Sequence, residues 1–308
     1  MQSRTGFDAM RDRPRSCPPK AQKTRSANSW RSRAGTLTFD AMPELPEVEF
    51  TRKNLARWML HARVASVKTN DTRIVRPEKP RAFVRALTGR TVDRIERRGK
   101  WMKVTLDDGR YLFAHLGMSG WFEHVGSGEA PLRFERVSFE VEKRGTRSRV
   151  VYVDSRRWGR MILAGGDIAT WRALGPDPLD DGVDLERLAQ KLTRRKRSSI
   201  KEALMDQTIL AGVGNIQAIE ALWKAGIDPC STASAISTSD LEEIASGLRW
   251  TIQRTLEDLE KSGLVTENLF CIYGRQGEPC PRCGHTLERV VLGGRATTFC
   301  PGCQQRRE

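Results

Sequence analysis

Near its C-terminal end, the chain carries the feature that most limits its fold: two closely spaced cysteine pairs. Cys280 and Cys283 form the first pair, Cys300 and Cys303 form the second, and sixteen residues separate the pairs. Two C-x2-C pairs at this separation are typical of a zinc site with four thiolate ligands. Such a site is closed to water, so we predict one structural Zn²⁺ that folds this segment and takes no part in catalysis. His285 is a less favoured substitute ligand.

The residues between the two pairs predict a small β-hairpin. Arg289 and Arg295 lie on either side of Gly293-Gly294, which has the composition of a tight turn. A hairpin held by zinc can place an arginine against phosphates or in a nucleic-acid groove. Charge alone supports an unspecialised basic surface equally well.

The whole chain is strongly basic. Its 308 residues include 53 Lys and Arg against 38 Asp and Glu, a formal net charge of +15. The first 41 residues account for +6 of this excess and residues 42–308 retain +9, so the charge is not confined to a tail. Such an excess favours a polyanionic partner, and nucleic acid is the usual one. No apolar run approaches the roughly 20 residues of a membrane span, so we expect no membrane partner.

Residues 1–41 differ in character from the rest. They are rich in Arg and Ser and show no sustained period of two or of 3.6 residues, which is typical of a disordered extension. Three interpretations are open: an organelle transit peptide, a disordered DNA-binding arm, and a mis-assigned start that precedes the true initiator, Met42. We favour the last, for a chemical reason given below.

Residues 64–163 are dominated by short strand-like runs. The run 101–106 is followed by the turn Asp107-Asp108-Gly109 and the run 111–116, which predicts a hairpin. Apolar residues alternate with polar ones at 137, 139 and 141, as in a half-buried strand. Repeated strands without intervening helices favour an N-terminal antiparallel β-sandwich or barrel, and residues 47–60 ahead of them predict a helix.

The Gly-Pro-Asp-Pro segment at 175–178 predicts a linker, after which the pattern becomes helical. Ser239 and Glu242 predict a capping box that opens a long amphipathic helix, which Gly263 ends. We therefore predict a multidomain α and β protein with four parts: an extension or mis-assigned start (1–41), an N-terminal β-sandwich domain (42–174), a helical domain (175–270) and the zinc module (271–308).

Five segments, in one order along the chain, resemble the formamidopyrimidine-DNA glycosylases, relatives of endonuclease VIII. They are 42–49 (MPELPEVE), 115–120 (HLGMSG), 154–159 (DSRRWG), 210–215 (LAGVGN) and the cysteine module. The resemblance implies a β-sandwich, a helix–two-turn–helix DNA-binding domain and a zinc finger. It also implies base-excision repair: a DNA glycosylase with AP lyase activity that removes oxidised bases from duplex DNA.

The resemblance implies that Pro43 is the nucleophile. Removal of Met42 would expose a secondary α-amine, whose pKa of about 8 leaves an appreciable unprotonated fraction at neutral pH. Its attack on the sugar C1′ gives a Schiff base that drives β- and δ-elimination. Glu44 matches the family's catalytic acid, and Glu47 a second acidic residue of the pocket. If translation begins at Met1, the nitrogen of Pro43 lies in a peptide bond and cannot attack.

The resemblance also implies the DNA contacts. Lys100 corresponds to a lysine on a β-hairpin that reaches the lesion and its phosphate. Lys201 and Asn215 match residues that hold the backbone near the flipped nucleotide, and Arg295 matches the family's zinc-finger arginine.

A flipped nucleotide leaves a void that the protein has to fill. Met118, Arg156 and Trp158 match the family's void-filling residues, and Arg157 is expected to clamp a phosphate. From the residues alone, core packing is the simpler interpretation of Met118 and Trp158.

Three departures affect the expected substrate. The segment between Gly263 and Tyr273 is short where enzymes for oxidised purines have a lesion-capping loop, Gln217 replaces a tyrosine, and Trp158 replaces a phenylalanine wedge. They leave a preference for 8-oxoguanine open and favour a broad or pyrimidine-leaning, endonuclease VIII-like specificity as an alternative. A second alternative is a damaged-DNA binding protein without catalysis. We expect a cytoplasmic, nucleoid-associated monomer of bacterial type without a nucleotide cofactor.

Overall fold

The structure is a computed structural model that describes residues 43–266 and 269–308. The predictions for residues 1–41, and for Met42 as initiator, lie outside these ranges. Within the described ranges, no helix is long and apolar enough to span a membrane.

The N-terminal part consists of two antiparallel sheets and three helices. One sheet has the strand order β1-β6-β7-β5 and the other β2-β3-β4-β8. The elements are α1 (Leu45–Met59), β1 (Arg63–Lys68), α2 (Pro80–Leu87), β2 (Val92–Arg98), β3 (Trp101–Leu106), β4 (Tyr111–His115), β5 (Gly120–Gly126), β6 (Glu135–Lys143), β7 (Thr146–Asp154), β8 (Arg160–Ala164) and α3 (Ala169–Arg172).

The predicted sandwich and its hairpin are both present. Strands β3 and β4 pair in antiparallel register, with Trp101 opposite His115. The inward side chains of both sheets form one core with Val48, Leu55 and Met59 from α1. Helix α1 begins at Leu45, two residues before the predicted start, because Pro46 is compatible with the first helical turn.

The chain leaves the sandwich through residues 174–177, which belong to no helix or strand. The helical part follows, with α4 (Leu185–Thr193), α5 (Ile200–Met205), α6 (Asn215–Ala225), a 3-10 helix (Ala233–Ala235) and α7 (Thr238–Ser262). Leu45, the first residue of α1, packs into the core of these helices. Helix α1 therefore joins the two cores, and its N-terminus lies where the sandwich meets the helices.

The predicted opening of α7 was wrong by two residues. The N-cap is Ser237, whose Oγ accepts a hydrogen bond from the Asp240 amide at 3.2 Å. The Asp240 carboxylate accepts one from the Ser237 amide in return, which completes the capping box. Asp240 also pairs with Arg307 at 2.9 Å, a tertiary contact that Glu242 does not make. The end is as predicted: Gly263 caps α7 at φ 76°.

The C-terminal module is the predicted hairpin, β9 (Glu288–Leu292) and β10 (Arg295–Phe299). Its cysteines pack with Ile219 and Trp223 of α6 in a separate small core. Beyond Cys303, the Gln305 amide donates to the Gly226 carbonyl at 2.8 Å. The module is thereby attached to the C-terminal end of α6. The exact limits predicted for the four parts of the chain stay predictions.

Candidate active site and nucleic-acid interface

The N-terminus of α1 forms the centre of the candidate site. Pro43 is buried and directly precedes Glu44, the N-cap residue of α1. The Glu44 amide donates to the Glu47 Oε2 atom at 2.9 Å, which fixes the Glu47 carboxylate in the first turn. Both side chains are almost fully buried. A proline nitrogen and two carboxylates thus lie within one turn of chain.

The Glu44 carboxylate faces the first turn of α6. Its two oxygens accept hydrogen bonds from the amides of Ile216 and Gln217, each at 3.0 Å. The N-terminus of a helix presents unpaired N–H groups and partial positive charge, which stabilise a carboxylate there. The site therefore spans the two domains: the acid comes from α1 and its anchor from α6.

Gly214 makes the close approach possible. A Cβ at this position would overlap the Glu44 carboxyl carbon and would lie 2.6 Å from Lys100 Nζ. The ammonium of Lys100 and the carboxylate of Glu44 therefore lie next to the same glycine. Lys100 is placed there by the turn between β2 and β3.

Burial alters the protonation of these groups. The pKa of Glu47 is raised to about 7, first by burial and then by the negative charge of Glu44. Burial lowers the pKa of Lys100, and Arg295 adds to this effect while Glu44 opposes it. Glu47 therefore exchanges a proton near neutral pH, the range in which a general acid or base is most effective.

Lys201 is the most unusual cation of the site. Its side chain is fully buried, and within the described part of the chain its Nζ atom has no hydrogen-bond partner. Burial, followed by the charge of Arg295, lowers the pKa of Lys201 to about 8. A buried ammonium without a partner is costly, so an anionic partner would stabilise the charged form of Lys201.

Asn215 and Arg295 lie on the same side. The Asn215 Nδ2 atom donates to the Ala296 carbonyl at 3.1 Å, which links the start of α6 to the zinc-module hairpin. The charge of Arg295 acts on both Lys100 and Lys201. The structure therefore brings together, near Glu44, the hairpin lysine Lys100 and the predicted DNA-contact residues Lys201, Asn215 and Arg295.

The four residues predicted to fill the void and clamp a phosphate lie on two neighbouring loops of the sandwich. Trp158 is 63% exposed and Met118 is half-buried, so neither is a core residue. Arg156 is exposed, whereas the Arg157 guanidinium pairs with Asp71 at 3.2 Å. Trp158 and Arg156 are therefore both accessible to a ligand.

Asp154 joins these two loops and was not singled out from the sequence. It is fully buried and accepts hydrogen bonds from Ser119 Oγ at 2.6 Å and from the amides of Arg156, Arg157 and Gly159 at 2.9–3.1 Å. The aspartate in the DSRRWG segment was the available signal. Its contacts, however, depend on the distant Ser119.

The four predicted cysteine ligands come together at the base of the hairpin. Their sulfur atoms all lie within 4.8 Å of one another, with Cys280 and Cys303 separated by 3.8 Å and Cys283 and Cys300 by 3.3 Å. Four thiolates around one zinc, each about 2.3 Å away, are about 3.8 Å apart. The arrangement therefore fits a tetrahedral zinc site.

Three family models match the chain, and together they cover most of it. They describe the formamidopyrimidine-DNA glycosylase N-terminal domain (residues 42–161), the helix–two-turn–helix domain of the same enzymes (174–267) and a zinc finger found in them and in isoleucyl-tRNA synthetases (277–306). The chain belongs to the formamidopyrimidine-DNA glycosylase family. The predicted family and the predicted three-part fold are thereby confirmed.

Relatives and solved structures agree with this membership. Formamidopyrimidine-DNA glycosylases of Roseiflexus sp. and Pseudomonas savastanoi are 38% and 39% identical over 277 residues, which cover 86% of this chain and 100% of each relative. A MutM bound to DNA containing carbocyclic 8-oxo-G has a TM-score of 0.78 at 27% identity, covering 86% of this chain and 100% of that one.

A Lactococcus lactis formamidopyrimidine-DNA glycosylase bound to DNA with an AP site has a TM-score of 0.77, also at 27% identity, covering 85% of this chain and 100% of that one. As a member of this family, the protein is an enzyme of the DNA glycosylase/AP lyase class, with the fold of enzymes that bind damaged DNA.

Proposed function

We propose that this enzyme excises oxidised bases from duplex DNA and cleaves the strand at the abasic site, with the nitrogen of Pro43 as nucleophile. The observation that carries the proposal is the position of Glu44. This carboxylate follows Pro43 directly, is held by two amides of α6 and shares the space beside Gly214 with the Lys100 ammonium. A proline nitrogen that becomes an amine once Met42 is removed, an acid and a cation adjoin one another where the two domains meet.

The reaction begins with attack of the proline nitrogen on C1′ of the damaged nucleotide, and the base leaves. The C1′–O4′ bond then breaks as O4′ gains a proton, which leaves an iminium between Pro43 and C1′. This iminium withdraws electrons, so that loss of a C2′ proton expels the 3′ phosphate, and a second elimination expels the 5′ phosphate. This chemistry needs a free nitrogen on Pro43. The family match begins at residue 42, and the relatives align over their whole length with 85–86% of this chain. Both observations support Met42 as the start of the active enzyme.

The two carboxylates divide the proton transfers. Glu44, adjacent to the nucleophile, assists opening of the sugar ring and proton transfer at the reacting nucleotide. Glu47 contacts the Glu44 amide and has its pKa raised to about 7, so it accepts or releases a proton at neutral pH. The amides of α6 keep Glu44 in place throughout.

The cations around Glu44 hold the DNA backbone. Lys201 is assigned a phosphate, because its buried ammonium lacks a partner within the described residues. Lys100 and Arg295 act on the same or the neighbouring phosphate, and Asn215 holds the hairpin that carries Arg295. Contacts of this kind fix position without reading sequence.

Met118, Arg156 and Trp158 enter the duplex where the nucleotide leaves it. The exposure of Trp158 and its rigid connection to Met118 through Asp154 support this role. Arg157 binds a phosphate of the DNA after its ion pair with Asp71 is broken.

One structural Zn²⁺ on Cys280, Cys283, Cys300 and Cys303 completes the module. When bound, the metal supplies a closed four-thiolate cross-link that holds the Arg295 hairpin. The protein acts as a monomer on damaged double-stranded DNA in the bacterial nucleoid, without a nucleotide cofactor.

The base preference is proposed to be broad and to include oxidised pyrimidines. Gln217 is fully buried beside Glu44 and donates from Nε2 to Thr255 at 3.4 Å. An amide here offers hydrogen-bonding groups in place of an aromatic face. Excision rates on matched duplexes with 8-oxoguanine or an oxidised pyrimidine test this preference. A rate on 8-oxoguanine at least 100-fold higher would contradict it.

The test of the reaction is single-turnover cleavage of a duplex containing one abasic site. We expect cleaved strands that carry phosphate at both ends of the gap, the products of β- and δ-elimination. Binding without cleavage by a zinc-loaded chain that starts at Pro43 would favour the alternative, a damaged-DNA binding protein without catalysis.

A further inference from the structure

The turn that carries Lys100 rests on a buried cluster of charges. Arg97, near the end of β2, has a fully buried side chain that contacts three carboxylates. Its Nε atom donates to Glu49 Oε2 at 3.0 Å, and its two terminal nitrogens donate to Asp177 and to Asp180. Buried ion pairs contribute little net stability compared with apolar packing. This cluster therefore calls for an explanation other than stability.

Asp177 connects the cluster directly to the turn. The Asp177 Oδ2 atom accepts hydrogen bonds from Arg97 Nη1 and from the Gly99 amide, the latter at 2.7 Å. Arg97 Nη1 also donates to the Gly99 carbonyl at 3.3 Å. Both polar groups of Gly99 are thereby held. Gly99 immediately precedes Lys100, so the path of the backbone into Lys100 is fixed by Asp177 and Arg97.

The residues just before Asp177 are hydrogen-bonded to the loop that precedes α6. The Gly175 amide donates to the Gln207 carbonyl at 2.8 Å, and the Ala211 amide donates to the Pro176 carbonyl at 2.9 Å. Gly99 itself lies against this loop, since a Cβ there would be 2.8 Å from the Gly212 nitrogen. Asp177 thus lies between the Lys100 turn and the loop that leads into α6.

We infer that Asp177 and Arg97 are positioning residues that hold the Lys100 ammonium against Glu44 by fixing Gly99 relative to the loop before α6. The inference rests on the proposed function, since it concerns the active form of that site. Neither residue touches the DNA; each acts through Lys100. A charged pair suits this task because its bidentate geometry sets direction as well as distance.

The test compares Asp177→Asn with Asp180→Asn in single-turnover cleavage of an abasic-site duplex at saturating protein. In either orientation the asparagine NH2 faces a donor, either the Gly99 N–H together with Arg97 Nη1 or Arg97 Nη2, and the charge of the pair is lost, so we expect at least a tenfold slower reaction. Asp180 meets the same guanidinium but not Gly99, and its variant should stay within about twofold of the wild type. If Asp177→Asn does not fold, Asp177→Glu serves, because it keeps the charge and displaces the carboxylate from Gly99; the same loss is expected.

A double-mutant cycle with Lys100→Ala separates positioning from general damage. Once Lys100 is truncated, the Asp177 change should slow cleavage by less than twofold. A full tenfold loss in that background, or a wild-type rate for the folded Asp177 variants, would overturn the inference. Absence of cleavage by the wild-type protein would instead overturn the proposed function, and this inference with it.

Discussion

Among single residues, Glu44 has the most constrained environment in the site. Its carboxylate accepts two amide hydrogen bonds from α6 while it adjoins Lys100. In Glu44→Gln the carboxamide NH2 would face one of these N–H groups, and the acid would be lost. We expect strand cleavage to slow by about 100-fold or more, with DNA affinity kept within a few-fold. Glu243→Gln on the exposed side of α7 is the matched control. Equal cleavage by the two variants would contradict the assignment.

Lys201 should give DNA binding a distinct pH dependence. The pKa of its buried ammonium is about 8, so the charge is present below this pH and is lost above it. A phosphate that requires the charged form should bind roughly tenfold more weakly at pH 9 than at pH 7. The loss is measured as Kd for an abasic-analogue duplex at constant ionic strength. Lys201→Met removes the titrating group, and its Kd should change less; an equal change in both proteins would contradict the assignment.

The sequence identified which residues meet at the site better than it described their surroundings. The resemblance to a known family pointed to Pro43, Glu44 and Lys201 from the sequence alone. The unpartnered burial of Lys201 and the pairing of Arg157 with Asp71 could not be read from the chain. Both depend on contacts between segments far apart in sequence, which local patterns do not encode.

Among the secondary-structure elements, the start of α6 controls the assembly of the site. Gly214 leaves space for Glu44 and Lys100 together, and a methyl group there would overlap the Glu44 carboxyl. We expect Gly214→Ala to displace both side chains and to slow cleavage by about 100-fold or more. Gly166→Ala, at a glycine with open space around it, should cleave at the wild-type rate. Wild-type cleavage by the Gly214 variant would show that this packing is not required.

The hairpin β9–β10 should depend on the metal for its position. The sulfur atoms of the four cysteines that flank the hairpin lie within 4.8 Å of one another, and these cysteines supply much of the local core. We expect Cys283→Ser, or removal of zinc by a chelator, to weaken DNA binding at least tenfold, because Arg295 is no longer held. Zinc content and Kd are measured on the same samples, with Cys230→Ser as control. Full affinity in a zinc-free protein would contradict the proposed role.

Sequence patterns were sufficient to predict some boundaries of helices and strands but not others. Periodicity and turn residues located the β3–β4 hairpin and the end of α7 at Gly263. The start of α7 was misassigned because two serine-headed patterns compete there. The choice of Ser237 is accompanied by a tertiary ion pair, Asp240 with Arg307, that the local sequence does not reveal.

In the whole molecule, the candidate active site is divided between two domains, and the sequence predicted each domain only by itself. Helix α1 contributes Leu45 to the helical core and Val48 to the sandwich core. The acid of one domain is held by the amides of the other, and Asp177 connects the two. Composition predicted a basic DNA-binding protein, and motif order predicted its three parts. How those parts meet followed only from the three-dimensional contacts.

The central claim is that the nitrogen of Pro43 attacks the damaged nucleotide, and borohydride trapping on an abasic-site duplex tests it most directly. Three proteins are compared: the chain starting at Met1, the chain starting at Met42, and the latter with Pro43→Gly. We expect a covalent adduct from the Met42 form that maps to Pro43, and none from the Met1 form unless it is processed. The glycine variant, which has a primary in place of a secondary α-amine, should give much less adduct at position 43. No adduct from a Met42 form with confirmed methionine removal and bound zinc would contradict the account.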